Sequence, residues 1–242
     1  MSTRPPVVFI HGFIGTFEAG EVEAPYVAPD LLGYGEHRST PFAQISLPAQ
    51  VEHIATVLQS RFGTESVDVV GHSVGGAIAM LFAHAYPERV RRVVNVEGNF
   101  TLDDAFWSAS VGRMTPDEAE TMLAGFKADP LQWLRGAVPD AAPTMGDVAR
   151  RWLDHQPAST LRAMGQSVVA VTGRAAYLDA LREVFQHHPV YLLSGERSLP
   201  GWNVPDWALS ESAGSATLKG CGHLMPIENP AAFSAAIRGF LA

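Results

Sequence analysis

A chain of 242 residues with a net charge of -8 and a single cysteine excludes several classes of protein before any motif is read. At roughly 100–200 residues per domain it makes one large domain or two small ones, long enough to bury a core without metal or disulfide staples. One cysteine closes no internal disulfide and furnishes no multi-cysteine metal centre, and 25 acidic against 17 basic residues disfavour nucleic acid or an anionic membrane surface as a partner.

The N-terminal stretch leads into Val7-Val8-Phe9-Ile10, a buried-strand run that stops at His11-Gly12. This run is too short for a secretory core of about 7–15 apolar residues or a spanning helix of about 20. Neither an export signal nor a membrane segment is read, and the cytoplasm is the expected location. Additional N-terminal strands before Val7 are not expected. A weaker strand at 26–30 runs into the turn-rich Leu31-Leu32-Gly33-Tyr34-Gly35. Between 46 and 62, Val51, Ile54, Ala55, Leu58 and Phe62 recur at helical spacing. Residues 67–70 read as a strand, 74–86 as a helix ended by Pro87, and 93–96 as a strand. Short apolar strands alternating with helices predict right-handed βαβ units and a mostly parallel sheet covered on both faces.

From 98 to 187 no strand is predicted. Helices punctuated by Pro116, Pro130, Pro139, Pro143 and Pro157 carry Trp107, Trp133, Trp152, Met114, Met122, Met145 and Met164. Alternation then resumes with a strand at 190–193, a short helix at 204–212, a strand at 215–218 and a closing helix at 229–241. The expected organisation is one α/β core, residues 1–97 and 188–242, into which 98–187 is inserted as a helical lid.

The most specific motif is Gly71-His72-Ser73-Val74-Gly75, between a predicted strand and a predicted helix. In that context the serine occupies a sharp strand-to-helix turn, and the flanking glycines let neighbouring backbones approach closely. Its hydroxyl is presented at a helix N-terminus, where free N–H groups favour developing negative charge. The loop His11-Gly12-Phe13 follows the first strand and lies at the carboxyl ends of the strands, where ligands bind in such sheets. The backbone N–H groups of Phe13 and Val74 are the candidate oxyanion donors. Gly220-Cys221-Gly222-His223 places a histidine on a glycine-flanked loop after the last strand, suited to a general base for Ser73. Of the nine histidines, His11 reads as a turn-stabilising side chain, His72 is expected to point away from the hydroxyl, and His187-His188 read as a solvated loop. Cys221 reads as a small packing residue.

With these residues the chain resembles the α/β-hydrolase family over essentially its whole length. The matching segments are His11-Gly12-Phe13, Asp30-Leu31-Leu32-Gly33-Tyr34-Gly35, Gly71-His72-Ser73-Val74-Gly75-Gly76 and Gly222-His223, with Pro226, Glu228 and Pro230 beyond. The resemblance implies an α/β-hydrolase fold with an inserted helical cap, Ser73 as nucleophile, His223 as base, and Phe13 and Val74 as the oxyanion hole. It implies no cofactor and no metal. Family members commonly place the triad acid three residues beyond a glycine after the strand that follows the cap. Here that position holds Ser198, which supplies no charge. Glu97, at the end of the strand following the serine's helix, is the favoured acid, because a carboxylate in so apolar a run is costly unless paired. Certain dehalogenases and lactone hydrolases of the family are similar in placing a glutamate there. Glu196 is the alternative, followed by Asp103, Asp104 and Asp206.

A serine nucleophile argues against alkyl-halide and epoxide chemistry, which in this family uses an aspartate at that position. The expected reaction is hydrolysis of a carboxylic ester or lactone of a small apolar or aromatic molecule through an acyl-enzyme. A carbon–carbon bond hydrolase or hydroxynitrile lyase on the same triad, and a non-enzymatic small-molecule receptor, are the alternatives. Charged residues, at 17% against about 25% in soluble domains, leave unusual apolar area for a lid and its pocket. Phe100, Trp107, Met114, Phe126 and Trp133 are the candidate pocket residues.

Overall fold

The chain alternates strand and helix as far as residue 96: β1 (Val7–Ile10), β2 (Tyr26–Val27), α1 (Leu47–Phe62), β3 (Val67–His72), α2 (Val74–Ala85) and β4 (Val90–Val96). Helices α3 (Phe106–Arg113), α4 (Pro116–Ala128), α5 (Pro130–Arg135), α6 (Gly146–Asp154), α7 (Ala158–Thr172) and α8 (Ala175–His187) follow with no strand between them. The chain closes with β5 (Val190–Gly195), α9 (Asp206–Glu211), β6 (Gly214–Leu218), α10 (Met225–Glu228) and α11 (Pro230–Leu241). The computed structural model describes residues 4–17 and 24–242, so the first three residues of the N-terminal stretch lie outside the described part.

All six strands pair in parallel, in the order β2-β1-β3-β4-β5-β6. Strand order reverses between β1 and β3, so the loops leaving their carboxyl ends diverge around a crevice. The apolar runs are continuous because both faces are covered. Val67 and Val69 of β3 enter the core shared with α1 and α2, whereas Val70 enters the one shared with α11. Helix α1 buries Leu47, Val51, Ile54 and Leu58 and starts where the Ser46 side chain accepts from the Ala49 N–H at 3.2 Å. Each such aliphatic side chain contributes roughly 1.5–3 kcal/mol by burial. Asn229 caps α11 in the same way.

Two elements are shorter than the sequence predicts. The strand at 26–30 stops at Val27, since Pro29 has no N–H to continue the ladder and only Tyr26 and Val27 pair with β1. The helix at 204–212 begins at Asp206, because Pro205 holds an extended ψ of 145° and constrains Val204 before it.

Over the carboxyl ends of the strands, α3 and α4 pack on α7, and α5 packs on α6, while α8 lies against α2 of the sheet layer. The 155–160 segment ties this helical group to the core. The main chain of His155 accepts from the Gly35 N–H at 2.8 Å, its ring meets Asp30 at 2.9 Å, and Thr160 donates to the Gly33 carbonyl at 2.9 Å. Gln156 accepts from the Gly15 N–H at 3.0 Å. Among the described residues, no helix is long and apolar enough to cross a membrane.

Candidate active site

Ser73 sits between β3 and α2 with φ 56° and ψ -126°, the left-handed strain expected of a nucleophile turn. The flanking glycines are sterically required. A Cβ on Gly71 would collide with the Gly75 carbonyl, and one on Gly75 would collide with the main-chain oxygens of Ile10 and His11. The turn is anchored by the Ser73 N–H, which donates to the Val96 carbonyl at 2.9 Å.

Val74 is the first residue of α2, so its N–H is one of the four a helix leaves without an internal acceptor. The facing loop is held by side chains beneath it. The hydroxyl of buried Tyr34 donates to the Phe13 carbonyl at 2.9 Å. His11 bridges Gly12 and Leu31, with Nδ1 against the Gly12 carbonyl at 2.9 Å and Nε2 accepting from the Leu31 N–H at 3.3 Å. Burial lowers the His11 pKa to about 4, so the ring is neutral and structural.

The candidate base and acid meet directly. His223 Nδ1 lies 2.6 Å from Glu97 Oε2. The other carboxylate oxygen, Oε1, accepts from the Gly195 N–H at 2.8 Å and from the Ser198 hydroxyl at 2.6 Å. Glu97 is 5% exposed and also holds a positive φ, 45°, at the tip of β4. Burial opposes its charge, but the bonds from His223, Ser198 and Gly195 prevail and hold its carboxyl below the ordinary glutamate range. The serine standing where the family acid is expected is therefore a donor to Glu97, a carboxylate supplied from another strand.

Other candidates are committed elsewhere. Glu196 accepts from the Gly220 N–H at 2.8 Å, at the surface. Asp104 clamps its own loop by accepting from the Phe100 and Thr101 N–H groups and ties it to the loop after β5 by accepting from the Asn203 N–H. Asp103 meets the Asn203 amide at 3.2 Å, and Asp206 lies in the first turn of α9. His72 is directed at the main chain of His223, with Nε2 2.8 Å from its carbonyl oxygen, and burial lowers its pKa to about 3. Cys221 is buried and free, with its thiol pushed up by desolvation. His187 ends α8, and His188 is largely buried against Ala83 rather than lying in the solvated loop expected for the pair.

Ser73, Glu97 and His223 open on one cavity of about 560 Å³, within the usual range for small-molecule sites. Phe13, Trp107, Phe126 and Trp133 line it as a chain of rings with centroids 5.3, 6.5 and 6.3 Å apart. Two expected pocket residues do not reach it. Phe100 is wholly buried among Phe185, Trp202 and Trp207, because Asp104 curls the chain after β4 back onto the core. Met114 follows α3 and packs at the edge of the core instead. The lining also includes Asn99, Phe106, Trp202 and Leu224, which motif reasoning missed. Trp202 follows β5 in a loop with no periodic signal, and its indole donates to the Gly98 carbonyl at 2.9 Å.

The strained serine turn, the facing amide loop and the buried carboxylate behind a histidine are those of an α/β-hydrolase. The model of the alpha/beta hydrolase family matches residues 7–236, and the chain belongs to that family. A lipase of Psychrobacter immobilis, Lipase 1, is 33% identical over 113 residues, which cover 44% of this chain and 34% of that protein. A 2-hydroxymuconate semialdehyde hydrolase of Pseudomonas putida is 34% identical over 99 residues, covering 37% and 34%. The matches thus span about a third of the length of these curated relatives. A thermophilic esterase from Thermogutta terrifontis shares the fold with a TM-score of 0.70 at 18% identity, covering 100% of this chain and 90% of that one.

Proposed function

We infer that the chain is a serine hydrolase that cleaves a carboxylic ester or lactone of a small, mainly apolar molecule through an acyl-enzyme on Ser73. The observation that carries this is the 2.6 Å contact of Glu97 with His223 at a cavity that also presents Ser73 on its strained turn. With Nδ1 held by the carboxylate, His223 keeps Nε2 for the serine proton. The hydroxyl oxygen of Ser73 attacks the carbonyl carbon while Nε2 takes its proton. The N–H groups of Phe13 and Val74 stabilise the resulting oxyanion. Collapse expels the alcohol, which recovers the proton from Nε2. Water, deprotonated by the same nitrogen, then hydrolyses the acyl-enzyme and frees the acid. Glu97 remains ionised throughout and stabilises the imidazolium form of the histidine.

The described lining holds two carboxylates, Glu97 and Asp104, and no lysine or arginine. Its field favours a neutral acyl group over an anionic one, which supports an ester or lactone over an anionic carbon–carbon substrate such as the one in the name of the Pseudomonas putida relative. The rings of Trp107, Phe126 and Trp133 support an alkyl or aromatic group in the cavity. In this reading the helical group over the sheet serves as the lid of the site.

The test is a panel of p-nitrophenyl esters of increasing chain length together with several lactones, assayed on the wild type and Ser73→Ala. Turnover of at least one ester or lactone, lost by about 10³-fold or more in the variant, is expected. Turnover that survives unchanged in Ser73→Ala overturns the serine mechanism.

A further inference from the structure

Asn99 is 4% exposed and lines the cavity, yet its side-chain oxygen is sealed from solvent and has no hydrogen-bond partner among the described residues. Every other carboxylate, amide or hydroxyl side chain in the described lining has an assignment. Ser73 and Glu97 belong to the triad, and Ser198 donates to Glu97. Asp104 accepts from three backbone N–H groups, and Ser108 donates to the Ala105 carbonyl. Among them the Asn99 oxygen alone is buried without a partner in the described residues.

Its backbone does not explain the residue type. Asn99 is not among the positive-φ positions that favour asparagine. Its main chain is fixed independently of its side chain, since the hydroxyl of buried Tyr177 donates to the Asn99 carbonyl at 2.6 Å and Trp202 donates to the preceding Gly98 carbonyl. A leucine would fill similar space without the cost of an unpaired buried amide. An unpaired amide oxygen carried on a fixed main chain beside an apolar cavity is the pattern of a group that a ligand completes.

We propose that Asn99 forms a subsite for a hydroxyl group on the substrate, so that the enzyme prefers hydroxylated esters over their plain counterparts. The oxygen is sealed as it stands, and a turn of the carboxamide about its last bond presents it to the cavity. A hydroxyl matches both edges because it donates and accepts. Binding a plain chain leaves the amide unpaired, and that lost pairing is the source of discrimination. The catalytic arm of this inference rests on the ester-hydrolase reading, and the binding arm does not.

The experiment compares 4-nitrophenyl hexanoate with its analogues hydroxylated at successive acyl carbons. Turnover is measured on the wild type, Asn99→Leu and the smaller Asn99→Ala, and binding to Ser73→Ala is measured by quenching of tryptophan fluorescence. At one hydroxyl position the wild type is expected to show about tenfold higher kcat/KM than with the parent, carried mainly by KM. Both Asn99 variants are expected to bring that ratio within about twofold, and Asn99→Leu to melt no lower than wild type. Ser73→Ala is expected to bind the favoured analogue about tenfold tighter than the parent. Ester turnover with no hydroxyl preference in the wild type overturns the subsite while leaving the hydrolase reading intact. A binding preference in Ser73→Ala with no ester turnover by the wild type overturns the hydrolase reading and leaves the subsite standing. A preference that persists undiminished in both Asn99 variants removes the assignment to Asn99.

Discussion

Replacing Glu97 by glutamine tests how the acid works, and its outcome follows from which oxygen bonds to which donor. Oε1 accepts two hydrogen bonds, from the Gly195 N–H and the Ser198 hydroxyl, whereas Oε2 meets only His223. A glutamine has one oxygen to place. Putting it at the Oε1 position satisfies both donors, and the NH₂ then faces His223 Nδ1. That nitrogen must become the acceptor, which moves the ring proton to Nε2 and removes the lone pair that takes the serine proton. The variant therefore loses both the charge that stabilises imidazolium and the productive tautomer. The expected fall in kcat is about 10⁴-fold, equivalent to ~5.4 kcal/mol of barrier, with KM changed by less than about threefold. Steady-state hydrolysis of the best ester, at matched fold content by circular dichroism, measures it. Glu196→Gln, which alters a surface contact to Gly220, is the control and should lie within about twofold of wild type. A Glu97→Gln enzyme that keeps a tenth of its activity, or a collapse confined to Glu196→Gln, would rule Glu97 out as the acid.

Other outcomes follow from the same geometry. Ser198→Ala removes one of three groups bonded to the buried carboxylate and should lower kcat about tenfold with little change in KM, by steady-state kinetics. Gly75→Ala drives a Cβ into the Ile10 and His11 carbonyls and should cost about 3 kcal/mol in urea unfolding, with loss of the site. His11 and His72 are neutral when folded, with pKa values of about 4 and about 3 against an ordinary 6.5. The unfolded chain binds more protons below that value, so their contribution is complete above pH ~6.5. It declines as pH falls toward 4, by ~1.4 kcal/mol per pH unit from each histidine. Urea midpoints at pH 7 and pH 5 should show the loss, and equal stability at the two would contradict it.

The serine turn was readable from sequence because its geometry forbids side chains: Gly71 and Gly75 are there to avoid backbone oxygens, and that constraint is local. Glu97 was readable for a related reason, since a carboxylate ending a buried strand needs partners. Its partners were not readable. Ser198 and Gly195 come from β5 and the loop after it, brought alongside β4 only by strand pairing. The pocket was the least readable part. Phe100 and Trp107 stand on the same connection, but Asp104 turns the first into the core while Trp107 reaches the cavity. Such a choice depends on hydrogen bonds that three backbone amides donate to a loop carboxylate, which leave no periodic trace.

In the proposed cycle Ser73, activated by His223 and Glu97, forms a covalent acyl-enzyme. Its most direct test is peptide mass spectrometry after acid quench of the wild type with a fast-acylating p-nitrophenyl ester, alongside treatment with a fluorophosphonate. The acyl and phosphonyl increments are expected on the peptide containing Ser73, at near-stoichiometric yield, and are expected to be absent from His223→Ala. An enzyme that turns over ester while Ser73 stays unmodified by both reagents would contradict that cycle.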